Sequence, residues 1–205
     1  MRRLDPGILL GFILFAVVSY QLLYEQPRQD FTGLFLSLSL LFVLYAYLIW
    51  RAQGLRQDTH VLFLIVGAIG IRIIGLFALP NLSDDLYRFI WDGNLSLQGI
   101  NPFLQTPKEW MQTESQLRLS TELYENMNSP AYHTVYPPVM QGIFLISAGL
   151  GGTSVYINTL LMKVAILIAE VGSMYQLRIL LRHFRKPASW ILIYALNPLL
   201  ILEFA

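Results

Sequence analysis

The feature that most limits how this chain can fold is its series of long apolar runs. Four of them are long enough to cross a hydrocarbon core of about 30 Å as helices. These four runs are residues 7–24, 31–50, 61–79 and 154–177. Apolar residues make up 55% of the chain, and its mean hydropathy is +0.53, a balance that water-soluble domains seldom reach. The sequence therefore predicts an all-α integral membrane protein, a multi-span helical bundle forming a single transmembrane domain over residues 1–205.

Two further apolar runs are less regular, and both are included as predicted spans. Residues 137–150 open with Pro137 and Pro138 and close at Gly149, which leaves a helix that is short for a full crossing. Residues 189–205 stop in apolar sequence without a loop, a cap or a flanking charge, and at about 1.5 Å per residue they only just reach the opposite face. We therefore expect the chain to be the truncated N-terminal half of a longer protein.

Composition argues against several classes of function. The chain has no cysteine, so disulfides, thiolate metal ligands and cysteine nucleophiles are excluded. A net charge of +1 without a basic run or an acidic tail argues against nucleic acid as a partner. The three histidines, His60, His133 and His183, are far apart in sequence and have no metal-ligand spacing.

Basic residues near the span ends predict the orientation of the chain. Arg2 and Arg3 hold the N-terminus in the cytoplasm, and Arg51 with Arg56 marks the return after two crossings. The third span then exits, so residues 80–136 form a long outer loop that carries amphipathic juxtamembrane helices. We accordingly expect a multi-pass protein of the cell (inner) membrane, with a cytoplasmic N-terminus and this loop on the outer face.

The basic loop late in the chain does not fit that scheme. If residues 137–150 and 154–177 are both full crossings, the cationic stretch lies outside, against the positive-inside tendency. This stretch comprises Arg178, Arg182, Arg185 and Lys186. Either the short run is re-entrant, or an anionic lipid head group gives this loop a reason to be outside. The sequence leaves both alternatives open.

The outer loop begins with a polar island, NLSDDLYRFIWDG. Ser83 followed by Asp84 and Asp85 is typical of a helix N-cap with acidic residues in the first turn, and we expect that helix to end at Gly93 or Gly99. Its aromatic and polar residues fall on different faces, which predicts a helix lying along the membrane surface with its aromatics down. On position alone, the two aspartates could merely complement the helix dipole, at under about 1 kcal/mol each.

The order of motifs around this island resembles that of the GT-C glycosyltransferases, in particular the polyprenol-phosphate-mannose-dependent mannosyltransferases. That family has an acidic pair or triplet, a Tyr, an aromatic and an Asp-Gly or Asp-Ala. These are followed by a Gly-x-x-Pro-Tyr/Phe turn and a Tyr-x-Pro or Tyr-Pro-Pro entering a span. The matching residues are Asp84, Asp85, Tyr87, Trp91, Asp92, Gly93, Gly99, Asn101, Pro102, Phe103, Tyr136, Pro137 and Pro138. The ending ALNPLLILEFA also resembles a later helix of the family, so the resemblance covers the chain from about residue 60 to its end.

The resemblance implies a membrane glycosyltransferase that moves a hexose, with mannose as first choice, from a polyprenol-phosphate-sugar donor to a lipid- or glycan-linked acceptor on the outer face. An aspartate of the loop accepts the proton of the acceptor hydroxyl while that oxygen attacks the anomeric carbon. Such a base typically contributes roughly 10² to 10⁴ in rate. Asp84 lies three residues before Tyr87, where the resembled motif carries its base, so Asp84 ranks first and Asp85 second.

The same resemblance suggests residues that bind the substrates. The loop supplies the candidates for substrate binding, which are Arg88, Trp91, Asp92, His133 and Tyr136. A cation near the lipid phosphate stabilises the charge of that leaving group. The candidates for this role are Arg72, Lys163, Arg178 and Arg182. Two plainer interpretations stay open: Arg88 as an exposed ion-pair partner of Asp84 or Asp92, and Arg72 as the partner of Glu170 across helices.

Other functions remain as alternatives at this stage. The chain could be a transporter or lipid-carrier module whose intramembrane charges form the pathway, or a non-catalytic partner subunit of a glycosyltransferase. As an enzyme it would have the membrane, the sugar donor and the lipid or glycan acceptor as partners, and a fragment could be inactive by itself. No cofactor is required and no metal ligand is assigned, although two adjacent carboxylates leave a divalent metal open.

Overall fold

The computed structural model describes residues 4–55, 58–113 and 120–204. Every regular element in these ranges is a helix, which confirms the predicted all-α membrane fold. Four helices of the described chain are long and apolar enough to cross a membrane. They are α1 (Pro6–Tyr24), α2 (Phe31–Leu55), α3 (Asp58–Gly75) and α8 (Val155–His183). The shorter helices are α4 (Asp85–Leu97), α5 (Pro107–Gln112), α6 (Thr121–Asn126), α7 (Pro138–Gly151), a 3₁₀ helix (Ala188–Ile191), α9 (Leu192–Ala195) and α10 (Pro198–Leu202).

Contacts divide the chain into two compact units, where the sequence predicted one domain. Unit 1 comprises Met1–Leu82 with Ile166–Ala205, and unit 2 comprises Ser83–Ala165. The division arises because the helices of the predicted outer loop bury a hydrophobic cluster of their own together with α7.

In unit 1, the beginning of α1, the end of α2 and the beginning of α3 meet at one end. The Asp5 carboxylate caps α1 by accepting a hydrogen bond from the Ile8 N–H at 3.1 Å, and it forms an ion pair with Arg51 at 2.9 Å. The Arg51 guanidinium holds the pKa of Asp5 below its usual value. His60 on α3 accepts a hydrogen bond from the Asp5 N–H at 3.0 Å. Arg2, Arg3 and Arg56, used to predict orientation, lie outside the described residues.

Helices α3 and α8 run antiparallel within unit 1. Near the end of α3, Arg72 is fully buried and forms an ion pair with Glu170, which confirms the predicted partnership across helices. Residues at the beginning of α3 line a cavity together with Leu181 and Arg182 of α8. These two residues lie about three turns beyond Glu170. The end of α8 therefore lies beside Asp58, at the same end of unit 1 as Arg51.

The last apolar run is not the single span that residues 189–205 predicted. The 3₁₀ helix, α9 and α10 divide it into short pieces, and the main break falls at Asn197, whose backbone is extended (φ −60°, ψ 120°). The cause is Pro198, which has no N–H to donate and disfavours helical geometry in the residue before it. The Asn197 side chain instead caps α10 by accepting a hydrogen bond from the Leu199 N–H at 3.0 Å.

In unit 2, α4 packs along α7 over a shared hydrophobic cluster. The cluster is formed by Leu86, Ile90, Trp91, Leu95, Leu123, Met127, Phe144 and Met162. Glycine is required at position 93, since a Cβ there would lie 2.9 Å from the Ala148 Cβ and closer still to the Phe144 carbonyl oxygen. Helix α4 continues through Gly93 and ends at Leu97, just before Gly99, whose φ of 75° suits glycine.

Candidate active site

The two adjacent aspartates lie at the first turn of α4. Asp84 is the N-cap residue and Asp85 is the first residue of the helix, and both are half-buried. Ser83, predicted as the cap, lies one residue earlier and accepts a hydrogen bond from the Asp85 N–H at 3.2 Å. The Asp84 side chain makes no capping hydrogen bond to the helix. The Asp84 carboxylate therefore does not cap α4 through a side-chain hydrogen bond, although Asp84 occupies the N-cap position.

The Asp85 carboxylate is held by two residues that are distant in sequence. Asn128 donates a hydrogen bond from Nδ2 to Oδ1 of Asp85 at 3.0 Å, and the Tyr136 hydroxyl donates a second. Burial, followed by the charge and hydrogen bond of Asp85, raises the pKa of Tyr136 to about 12, so the phenol keeps its proton at neutral pH. Two of the roughly four acceptor positions of this carboxylate are therefore occupied by fixed donors.

Aromatic rings fix the position of Tyr136. Its ring centroid lies 4.8 Å from that of Phe89 on α4 and 5.6 Å from that of Phe144 on α7, in edge-to-face arrangements. Such geometry is favourable for aromatic pairs. The approach to α7, where Tyr136 precedes the two prolines, is thereby docked against the first turns of α4.

One turn beyond the aspartates, Arg88 and Asp92 form a buried ion pair. Their side chains are 3% and 0% exposed, and Nε of Arg88 donates to Oδ1 of Asp92 at 2.9 Å. Gln141 on α7 donates from Nε2 to the other carboxylate oxygen of Asp92 at 3.0 Å and to the Thr134 hydroxyl at 3.0 Å. The predicted pairing of Arg88 with Asp92 is confirmed, but its predicted exposure is wrong, because α7 and the segment before it cover this face of α4.

Arg88 also ties α4 to the segment that leads into α7. Its Nη1 donates to the backbone carbonyl oxygens of Tyr132 at 2.9 Å and of Ser129 at 3.4 Å. Nη2 of Arg88 and Oε1 of Gln141 are buried without a hydrogen-bond partner among the described residues. The ion pair thus sets the position of the aspartate-bearing turn relative to the loop that carries Tyr136.

The other two binding candidates differ in their surroundings. Trp91 is 2% exposed and packs in the hydrophobic cluster, with its ring 6.2 Å from that of Tyr124. His133 is exposed. Hydrogen bonds from Thr106 and, to a smaller extent, the charge of His133 lower the pKa of Glu109 on α5. Of the pair, only His133 is accessible to a ligand.

The four cations predicted to bind donor phosphate do not form one group. Arg72, in unit 1, donates to Glu170 and to the carbonyl oxygens of Ala68 and Ala195. Arg178 and Arg182 line a cavity at the Asp58 end of α3, whereas the chain leaves α3 for unit 2 at the Gly75 end. Lys163 is buried on α8 in unit 2 and is the one candidate in the unit that contains Asp84.

Three polar residues of this site were not predicted from the sequence: Asn128, Thr134 and Gln141. Gln141 had a recognisable signal, because it is the lone polar side chain in the first turn of an apolar helix. Asn128 and Thr134 lie in loop sequence where nothing distinguishes them from other polar residues. No group of three or more His, Asp or Glu side chains that could hold a metal ion occurs among residues 4–55, 58–113 and 120–204.

Comparison with known proteins gives one match. The family described as Alpha-(1->6)-mannopyranosyltransferase, N-terminal domain, matches residues 13–205. Comparisons with curated proteins and with solved structures found no match. The matched range includes the aspartate pair, the buried ion pair and the segment that leads into α7.

Proposed function

Because the chain belongs to the alpha-(1->6)-mannopyranosyltransferase family, we propose that it transfers mannose from a polyprenol-phosphate donor to a lipid- or glycan-linked acceptor, with Asp84 as general base. Family membership makes the chain a membrane glycosyltransferase of the mannosyltransferase type. The order of motifs from Asp84 to Pro138 supports the narrower assignment to the GT-C kind. The single observation that carries the site is the anchoring of the Asp84–Asp85 turn by the buried Arg88–Asp92 ion pair.

The proposed reaction is a displacement at the anomeric carbon of the donor sugar. The acceptor hydroxyl oxygen forms the new bond to that carbon as the bond from the carbon to the phosphate oxygen breaks. The hydroxyl proton passes to the Asp84 carboxylate, and the electron pair of the broken bond leaves with the polyprenyl phosphate. A positioned carboxylate is needed because a hydroxyl is a poor nucleophile until its proton is removed.

The contacts of the neighbouring residues support different roles for them. We assign Asp84 to proton transfer because of its place in the motif, three residues before Tyr87. The contacts of Asp85 with Asn128 and Tyr136 suit a role in orienting the acceptor. Arg88 and Asp92 are buried and act as positioning residues. Lys163 is retained for the donor phosphate, since it lies in unit 2 with the two aspartates and a cation there would stabilise the departing charge.

The helix directions support a topology with four spans: α1, α2, α3 and α8. Since α3 and α8 are antiparallel, the chain between Gly75 and Val155 begins and ends on the same side of the membrane. Helix α7 has 14 residues, about 21 Å, and ends at Gly151, which leaves no room for a return crossing before α8. We therefore adopt the first alternative for residues 137–150, in which this run enters the membrane without crossing it.

That topology also agrees with the distribution of basic residues. With the N-terminus in the cytoplasm, the loop bearing Asp84 lies on the outer face. The end of α8, with Arg178 and Arg182, then lies on the cytoplasmic side beside Arg51, as the positive-inside tendency favours.

The test is transfer of radiolabelled mannose from polyprenol-phosphate mannose in membranes that contain equal amounts of each protein variant. We expect Asp84→Asn to lower the transfer rate by roughly 10² to 10⁴, because it removes the proton acceptor at nearly constant shape. Asp85→Asn should lower it less, since the amide still accepts from Tyr136 through its oxygen.

A matched control is Glu125→Gln, which neutralises an exposed carboxylate of the same unit and should leave transfer unchanged. Undiminished transfer by the Asp84→Asn protein would contradict the assignment of Asp84 as general base. Absence of transfer by the wild-type protein, with an active relative as positive control, would favour the partner-subunit alternative instead.

A further inference from the structure

A cavity of about 480 Å³ lies at the Asp58 end of unit 1, between α3, α8 and the 3₁₀ helix. Leu62, Ile65 and Leu181 contribute apolar side chains to its lining. Arg178 and Arg182, one helical turn apart on α8, line the same space. The cavity therefore combines an apolar wall, formed largely by α3, with positive charge at the end of α8.

Positive charge exceeds negative charge around this cavity. Lys186 joins the two arginines in the lining, and its Nζ lies 5.4 Å from the centroid of the Trp190 ring. Among the described residues of the lining, Asp58 is the one carboxylate, so three cations face one anion there. The cavity also adjoins the N-terminus of the 18-residue helix α3, where the helix dipole favours an anion.

The apolar part of the lining distinguishes a lipid from a soluble anion. Leu62 is 58% exposed, and Ile65 lies one turn further along α3. Inorganic phosphate would contact the cations and leave this apolar surface uncovered. A phospholipid would cover both, with its phosphate at the basic side chains and its acyl chains along the helix surface.

We propose that this cavity binds the head group of an anionic phospholipid, with Arg178, Arg182 and Lys186 contacting the head group and Leu62 and Ile65 contacting the acyl chains. The residues of this cavity belong to unit 1, whereas Lys163 and the two aspartates of the proposed reaction belong to unit 2. The role of the cavity is to anchor the ends of α3 and α8 in one leaflet, and it does not depend on transferase activity.

The test measures bound lipid on the purified full chain by native mass spectrometry. Phosphatidylglycerol and phosphatidylcholine with identical acyl chains are titrated separately, and inorganic phosphate is added as a competitor. The wild-type protein should retain phosphatidylglycerol in preference to phosphatidylcholine. Arg182→Gln should reduce that preference about fivefold, and Arg178→Gln/Arg182→Gln should reduce it further, since each cation near an anionic lipid surface contributes comparably.

Arg185→Gln is the matched control, because it removes the same charge three residues further along the chain, at a residue outside the cavity lining. It should keep the wild-type preference. Equal retention of both lipids by the wild-type protein would overturn the proposal. So would an equal loss in Arg185→Gln and Arg182→Gln, which would indicate a general effect of charge. Complete displacement of the lipid by millimolar phosphate would replace the phospholipid with a soluble anion.

Discussion

At the scale of single residues, the buried Arg88–Asp92 pair makes a specific stability prediction. Both side chains are removed from water, so each charge depends on the other. Asp92→Asn and Arg88→Met should each destabilise the protein by about 3–5 kcal/mol, because each leaves one buried charge without its partner. The double variant should cost little more than either single variant, since the second change removes the charge that the first one isolated.

Thermal unfolding of the three variants in the same detergent measures this coupling. Single variants that unfold at the wild-type temperature, or effects that simply add in the double variant, would show that the pair does not hold α4 in place. A milder result for Gln141→Leu is expected, because that change removes one hydrogen bond from Asp92 and leaves the ion pair intact.

At the scale of helices, the close approach of α4 to α7 depends on Gly93. Gly93→Ala places a methyl group against the Phe144 carbonyl and the Ala148 side chain, and neither group can rotate away. We expect a loss of stability of about 1–3 kcal/mol, the usual cost of overpacking. Gly142→Ala on α7 is the matched control, since its added Cβ meets nothing within 4 Å. That variant should be neutral or stabilised, because alanine favours a helix over glycine by about 1 kcal/mol.

Comparing the predicted helices with those of the structure indicates how far the sequence determines them. Apolar length predicted α1, α2, α3 and α8, since a helix is the form in which a long apolar segment satisfies its backbone in lipid. Pro198 is a sequence signal for the break at Asn197, but the apolar length of residues 189–205 led to the prediction of a single span. Local spacing predicted that Arg88 could pair with Asp92 four residues later.

Burial of that pair was not predictable from local spacing. It depends on Gln141 and Thr134, which lie more than 40 residues further along the chain and reach α4 only in the folded unit. The hydrogen bond from Asn128 to Asp85 joins residues 43 positions apart, so it too forms only in the folded unit. The sequence therefore predicted the aspartates and the Arg88–Asp92 pair, but not the distant polar residues that contact them. Those residues are Asn128, Thr134 and Gln141.

At the scale of the whole molecule, the proposed four-span topology can be tested directly, because the chain has no cysteine of its own. Single cysteines at Gln29, Glu125 and Phe184 replace exposed side chains in three different loops. In intact cells, an impermeant maleimide should label Gln29→Cys and Glu125→Cys, whereas Phe184→Cys should react only after the cells are permeabilised. Position 184 is decisive, since a fifth crossing by α7 would place it outside.

Each pattern of labelling has one structural meaning. Labelling of all three positions in intact cells would mean that α7 crosses the membrane, which requires α3 and α8 to be parallel and conflicts with the Arg72–Glu170 pair together with the shared cavity at Asp58. Labelling of Phe184→Cys alone would invert the protein and place Asp84 in the cytoplasm. Protection of position 184 alone would put the aspartate pair on the outer face, as the proposed transfer reaction requires. It would also place the basic end of α8, with the proposed phospholipid site, at the inner leaflet.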